Sequence, residues 1–372
     1  MDIDRLTVEF TPDPSSAAAI ALAESALERG ARSLILLACD ANDCRPEQFD
    51  DWLRQLTGPI SGGVFPELIH GWRNHQQGYI VAGLPDTTTV FNIPGLSDPA
   101  ADFTQLVEEA VGGGVAPQSL LVLIDGLSSR IGAFLDGVYD NLGSDPVYFG
   151  GGAGSLTFRS KPCLFSNQGM LQDHAQLTDL PWPFVLGVEH GWEKFAGPFV
   201  VTGSTRNIID SLDFRPAFEV YRGHVEADSG RRFEGDNFFA IAKAYPFGLE
   251  KPDGSILVRD PISRSGTTLN CVGEVPANSV VYLLKGQAAN LIRAAASGAS
   301  AIPPGNGPGI LADCISRVLF LEDDFSKELD AVRQTIGHRP VFGMLTLGEV
   351  ANGGDYCLEF YNKTFVLAAT RD

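Results

Sequence analysis

Ser33-Leu-Ile-Leu-Leu-Ala38, Arg45–Leu56 and Pro59-Ile-Ser-Gly-Gly63 decide the fold, because together they give a buried strand, an amphipathic helix and a second strand that breaks at glycine. The helix places Phe49, Trp52, Leu53 and Leu56 on one side. The same order returns in Ser119-Leu-Leu-Val-Leu-Ile124, a helix through Ile131, Phe134, Leu135 and Val138, and Pro146-Val-Tyr-Phe-Gly-Gly-Gly-Ala-Gly154. A third copy is expected with its strand at Ser316–Leu321, a helix through Phe325, Leu329, Val332 and Ile336, and Pro340-Val-Phe-Gly-Met-Leu-Thr-Leu-Gly-Glu349. Gly78–Gly83, Lys161–Ser166 and Asn362–Leu367 read as the further strands that close the three units. A weaker relative starts at Ser279–Leu284, followed by a helix with Ala288, Leu291, Ile292 and Ala295.

Strand, helix, strand, glycine loop, strand implies a crossover and then a hairpin. The expected fold class is α/β with α+β character: two lobes of mixed β-sheet covered by helices. The first lobe ends near Ala217–Tyr221, Gly223–Asn237 reads as a lobe boundary or exposed loop, and Pro303–Gly309 is a second break.

Composition narrows the partners. The 372 residues are 44% hydrophobic and 20% charged, with a net charge of −19, a globular balance that works against phosphate backbones and anionic lipid. The N-terminal Met1-Asp-Ile-Asp carries acids where an export signal needs a basic region. The longest apolar runs are strand-sized, so no membrane insertion is expected. Six scattered cysteines (Cys39, Cys44, Cys163, Cys271, Cys314, Cys357) form no C-x-x-C pair, which suits a reducing cytoplasm and buried thiols.

Candidate chemistry is sparse. Gly150-Gly-Gly-Ala-Gly154 can cradle an anion with its backbone N–H groups or let a ligand or neighbouring strand approach, but it has neither Rossmann nor P-loop spacing. Thr346-Leu-Gly-Glu349 sets a hydroxyl and a carboxylate at a strand end, fit to hold a ligand amine or to form a turn. Cys314-Ile-Ser-Arg317 has no histidine nearby in sequence, so a Cys-dependent enzyme using Cys314 or Cys271 stays the minor reading. His190, in Gly187-Val-Glu-His-Gly-Trp192, has room around it and an apolar wall in Trp192, which fits either a structural histidine or a haem iron ligand.

Taken together, these pieces resemble the FIST family of sensory proteins. The resemblance rests on Pro59–Gly63, Gly150–Gly154, His190-Gly-Trp192 with Val201-Thr202, and Pro216-Ala217 before Tyr221. It continues through Tyr245-Pro-Phe-Gly-Leu249, Val258-Arg259, Cys314-x-x-Arg317, Gly343–Glu349 and Asn362-Lys-Thr364. Val64-Phe-Pro-Glu67 departs from the family pattern after the first glycine turn. The resemblance implies an N-terminal domain over 30–219 and a C-terminal domain over 220–366, with 1–29 as an extension packed on the body. It further implies an intracellular bacterial protein that binds a small ligand, an amino acid or derivative. That protein, with no output domain of its own, signals to a separate histidine kinase or cyclic-di-nucleotide enzyme. The ligand-binding residues so implied are Gly62, Gly63, Gly151, Gly152, Arg317, Thr346, Gly348, Glu349 and Asn362. One group of stand-alone members, the NosP proteins, is similar in length and binds haem b to sense nitric oxide; membership would make His190 or another histidine the iron ligand.

Overall fold

The structure is a computed structural model that describes residues 6–112, 117–352 and 358–371. Three modules repeat one plan: edge strand, helix, central strand, helical crossover, parallel strand, a hairpin that leaves the sheet, and a closing strand antiparallel to the central one. The first runs through Thr7–Thr11, Ser16–Glu28, Ser33–Cys39, Pro46–Gln55, Ile60–Phe65, the hairpin Glu67–His70 and Arg73–His75, and Tyr79–Leu84. The second uses Thr89–Pro94, Phe103–Val111, Ser119–Asp125, Ile131–Leu142, Val147–Ala153, Leu164–Ser166 with Gly169–Leu171, and His174–Leu180. The third uses Phe184–Glu189, Ala288–Ser300, Gly309–Cys314, Ile315–Leu321 with Phe325–Ile336, Val341–Thr346, Glu349–Ala351 with Glu359–Tyr361, and Phe365–Thr370.

The hairpins interlock the modules. That of the first pairs with the third module's sheet (Leu345 opposite Glu67), that of the second with the first (Gly63 opposite Leu164), and that of the third with the second (Gly151 opposite Glu349). Three six-stranded sheets of one order result, linked in a closed cycle. Each donated hairpin covers a strand edge that its host would otherwise expose.

One glycine recurs at the same register. Gly62, Gly150 and Gly343 lie opposite Leu36, Val122 and Leu311 in the three parallel pairs. A Cβ at these positions would stand 1.9, 2.0 and 2.0 Å from the partner carbonyl oxygen. The glycines therefore serve the approach of strand to strand. The first two helical crossovers are as the periodicity predicts, with Pro46 in the opening turn of one and Ile131, Phe134, Leu135 and Val138 buried on the other.

Three expectations are corrected. Ser316–Leu321 is helical and the third module's central strand is Gly309–Cys314; the four apolar residues Val318–Leu321 do not separate a buried helix from a buried strand. Leu164–Ser166 joins the first sheet, and His174–Leu180 closes the second. Ala217–Ser229 is a helix whose Tyr221 and Val225 are buried, so only the stretch after Gly230 is exposed loop.

Between Glu189 and Ala288 the third module accepts an insertion. Strands Glu193–Thr205, Val280–Lys285, Phe247–Glu250, Ile256–Ser265, Thr268–Val272 and Ile208–Leu212 pair in that order, and the last pairs back to the first. This ring is a small barrel around Val201, Phe247, Leu269 and Leu283, closed by helices Ala217–Ser229 and Phe238–Ala242. Among the described residues no helix is long and apolar enough to cross a membrane.

Candidate functional site

The carboxyl ends of the parallel strands of the second and third modules face the barrel, the position where open α/β sheets place ligands. A cavity of about 820 Å3 lies there, lined by Gly126–Ser129, Cys314–Ser316, Thr346–Gly348 and Asn362 from the modules and by Arg259, Asp260 and Cys271 from the barrel.

Its polar floor is a buried network. Asp260 is 1% exposed; its Oδ2 accepts from Ser316 Oγ at 2.7 Å and from Lys363 Nζ at 3.1 Å, and its Oδ1 has no partner. Asn362, also 1% exposed, donates through Nδ2 to the Tyr361 carbonyl and leaves Oδ1 unpaired. Both residues line the cavity and each leaves one covered side-chain oxygen unsatisfied, which costs free energy until the wall gives way enough for a donor to meet it. Lys363 is fully buried and holds a left-handed backbone (φ 53°). Its ammonium also reaches the Lys243 carbonyl and lies 4.9 Å from the Trp192 ring. Burial pushes the Asp260 carboxyl up, and Lys363 opposes the shift.

Behind the floor, Thr346 Oγ1 lies 2.6 Å from Glu349 Oε1 and 3.2 Å from the Asp313 carbonyl, while Thr364 N–H donates to Glu349 Oε2. One hydroxyl proton cannot serve both acceptors of Thr346. If it goes to the carbonyl, the shorter contact is donated by a protonated Glu349. Burial raises this carboxyl to about 8, against the bonds from Thr346 and Thr364. Burial and the adjacent Glu349 push the Cys314 thiol well up, the opposite of what a nucleophile needs.

Arg317 is fully buried and lies outside the cavity wall. Nε faces Glu328 and Asp313 at 3.2 Å, Nη1 donates to the His190 and Lys363 carbonyls, and Nη2 donates to the Leu291 carbonyl and to Glu328 at 2.6 Å. Burial works against its charge, but Glu328 and Asp313 hold its pKa above the usual value. With all donors engaged it is a positioning residue, tying the Lys363 loop to two helices and to the end of the edge strand Phe184–Glu189.

Of the remaining sequence candidates, Thr346, Gly348 and Asn362 line the cavity, and Glu349 lies one layer beneath. A Cβ on Gly151 would meet Thr346 Cγ2 at 2.7 Å, and one on Gly152 would meet the Leu347 carbonyl at 2.6 Å, so both let a strand press against the turn that floors the site. Gly62 and Gly63 are buried in the first sheet, away from it. Asp260, Ser316 and Lys363 were not singled out from sequence, although Arg259-Asp260 is a charged pair set into a strand whose inner half is buried.

His190 borders a second cavity, about 840 Å3, with Phe184, Leu186, Val188 and Tyr361. Its Nδ1 accepts the Trp192 N–H at 2.9 Å, and burial with Arg317 nearby lowers its pKa to about 4. That hydrogen bond fixes the neutral Nε2–H tautomer, which leaves no ring lone pair for iron; His190 as placed does not fit the haem role. Among the described residues no group of three or more His, Cys, Asp or Glu is placed to hold a metal ion. The five described cysteines are buried and unbridged, and Cys357 lies outside the described residues.

The chain matches the family model of the FIST N domain over residues 33–215 and that of the FIST C domain over 217–352. No curated protein matches it. The boundary between the two matches falls inside the barrel, just before helix Ala217–Ser229.

Proposed function

The chain belongs to the FIST family, whose domains are small-ligand sensory domains in signal transduction, and from this premise we propose that the 820 Å3 cavity between the second module, the third module and the barrel is its ligand site. The observation that carries the reading is the pair of buried unpaired acceptors, Asp260 Oδ1 and Asn362 Oδ1. They call for a ligand with N–H donors, as an amino acid or its derivative has. Asp260 belongs to the barrel and Asn362 to the third module, so a ligand that bridges them favours the arrangement that holds the two together. Its effect on the equilibrium can be no larger than its differential affinity for the two arrangements. Three ion pairs, Lys243–Glu322, Lys251–Glu359 and Lys363–Asp260, already cross that seam and set what the ligand adds to.

The output is a changed surface read by a separate partner, a histidine kinase or cyclic-di-nucleotide enzyme, in the cytoplasm. Buried unbridged cysteines support a reducing compartment, and the net charge of −19 argues against nucleic acid. The raised Cys314 thiol supports binding rather than covalent catalysis. The test is calorimetric titration of wild type, Asn362→Leu and Asp260→Asn with amines, amino acids, amino-acid amides and matched carboxylic acids. N–H donors are expected to bind and to lose tenfold or more in each variant. Donor affinities unchanged in both variants would remove the cavity from the reading.

A further inference from the structure

The cavity is much larger than its polar floor. At about 820 Å3 it falls in the ~300–1,000 Å3 range of sites that enclose drug-sized ligands. Leu135, Leu319, Phe239 and Leu358 give the wall an apolar stretch, while Arg206, Lys251, Arg259, Glu274 and Glu359 stand elsewhere on it. At the lining two large apolar side chains are solvent-exposed: Leu156 at 39% and Phe158 at 52%. They are two of only four such side chains among the described residues. Phe158 also holds a left-handed backbone (φ 53°), which a bulky residue adopts only at a cost. A free amino acid would satisfy the floor and leave most of this wall without a contact.

We infer that the occupant is amphipathic: a nitrogen head that donates to Asp260 and Asn362, carried on an extended apolar body that lies along Leu319 and leaves past Phe158. The inference rests on the proposed site and narrows its ligand class to molecules with a hydrocarbon or aromatic body several carbons long. The charge of Asp260 is already paired with Lys363; a carboxylate head is disfavoured because it brings no N–H to the two unpaired oxygens.

The test is isothermal titration of the full chain with n-butylamine, n-hexylamine, n-octylamine and octanoate. Each methylene buried in an apolar wall contributes ~0.8 kcal/mol, about fourfold in affinity. Saturable one-to-one binding should tighten about fourfold per methylene from butyl to octyl, and octanoate should bind far more weakly. Leu319→Trp, which fills the apolar arm, should weaken octylamine at least tenfold and flatten the rise in affinity from butyl to octyl. Butylamine binding as tightly as octylamine, with both weakened by Asp260→Asn, would overturn the amphipathic occupant and leave the site standing. Absence of one-to-one amine binding, or amine affinities indifferent to Asp260→Asn and Asn362→Leu, would overturn the site and this inference with it.

Discussion

Replacing Glu349 by glutamine should change how stability depends on pH more than it changes stability itself. The folded carboxyl holds its proton up to about 8, whereas the ordinary value is 4.5. Between these values the unfolded chain binds fewer protons than the folded one, so the contribution of this group to stability falls as pH rises and levels off above 8. The slope approaches about 1.4 kcal/mol per pH unit, or roughly 4–5 kcal/mol over the window. Glutamine mimics the protonated acid: its amide can donate to Thr346 Oγ1 and its oxygen can accept from Thr364 N–H. Urea unfolding at pH 5, 6, 7, 8 and 9 should give matching stabilities for the two proteins at pH 5. By pH 9 the variant should be the more stable by several kcal/mol. Parallel pH profiles for wild type and Glu349→Gln would refute the claim that Glu349 is buried with its proton.

Arg317→Met strips compensation from Asp313 and Glu328, both fully buried, and should cost about 3–5 kcal/mol in denaturant unfolding. Gly150→Ala drives a Cβ to within 2.0 Å of the Val122 carbonyl at a φ of +144° and should destabilise by more than about 3 kcal/mol. An unchanged midpoint would deny the strand approach. Because the Nδ1 of His190 is engaged by Trp192, any Soret band obtained with haemin should survive His190→Gln; its collapse would show that the ring turns to bind iron.

The recurring unit was legible because a fully buried strand, a helix with one apolar face and a glycine-bearing second strand each leave a local mark, although that strand runs on through its glycines instead of breaking there. The first copy has its elements where the sequence reading puts them, and the second keeps its two parallel strands and its helix but closes further on, at His174–Leu180. The third was displaced by one element, since periodicity alone cannot type an apolar run as short as Val318–Leu321. The cyclic exchange of hairpins was not legible: Leu164–Ser166 carries no mark of whose sheet it joins, and that pairing depends on register across the whole body. The family motifs pointed to the right region, with Thr346, Gly348 and Asn362 on the cavity wall. They overvalued Arg317, whose donors are all consumed internally, and Gly62, which a neighbouring carbonyl requires. Asp260 escaped because it reaches the site from the inserted barrel, 102 residues before Asn362 in the chain; only the tertiary fold joins them.

The most direct test of the account is a crystal structure of the protein grown with n-octylamine at a concentration shown by calorimetry to saturate it. The account predicts the amine nitrogen within hydrogen-bond distance of Asp260 Oδ1 and Asn362 Oδ1, with the chain running along Leu319 toward Phe158. Amine density beside His190 or on the outer surface, with the Asp260 cavity empty at saturation, would contradict it.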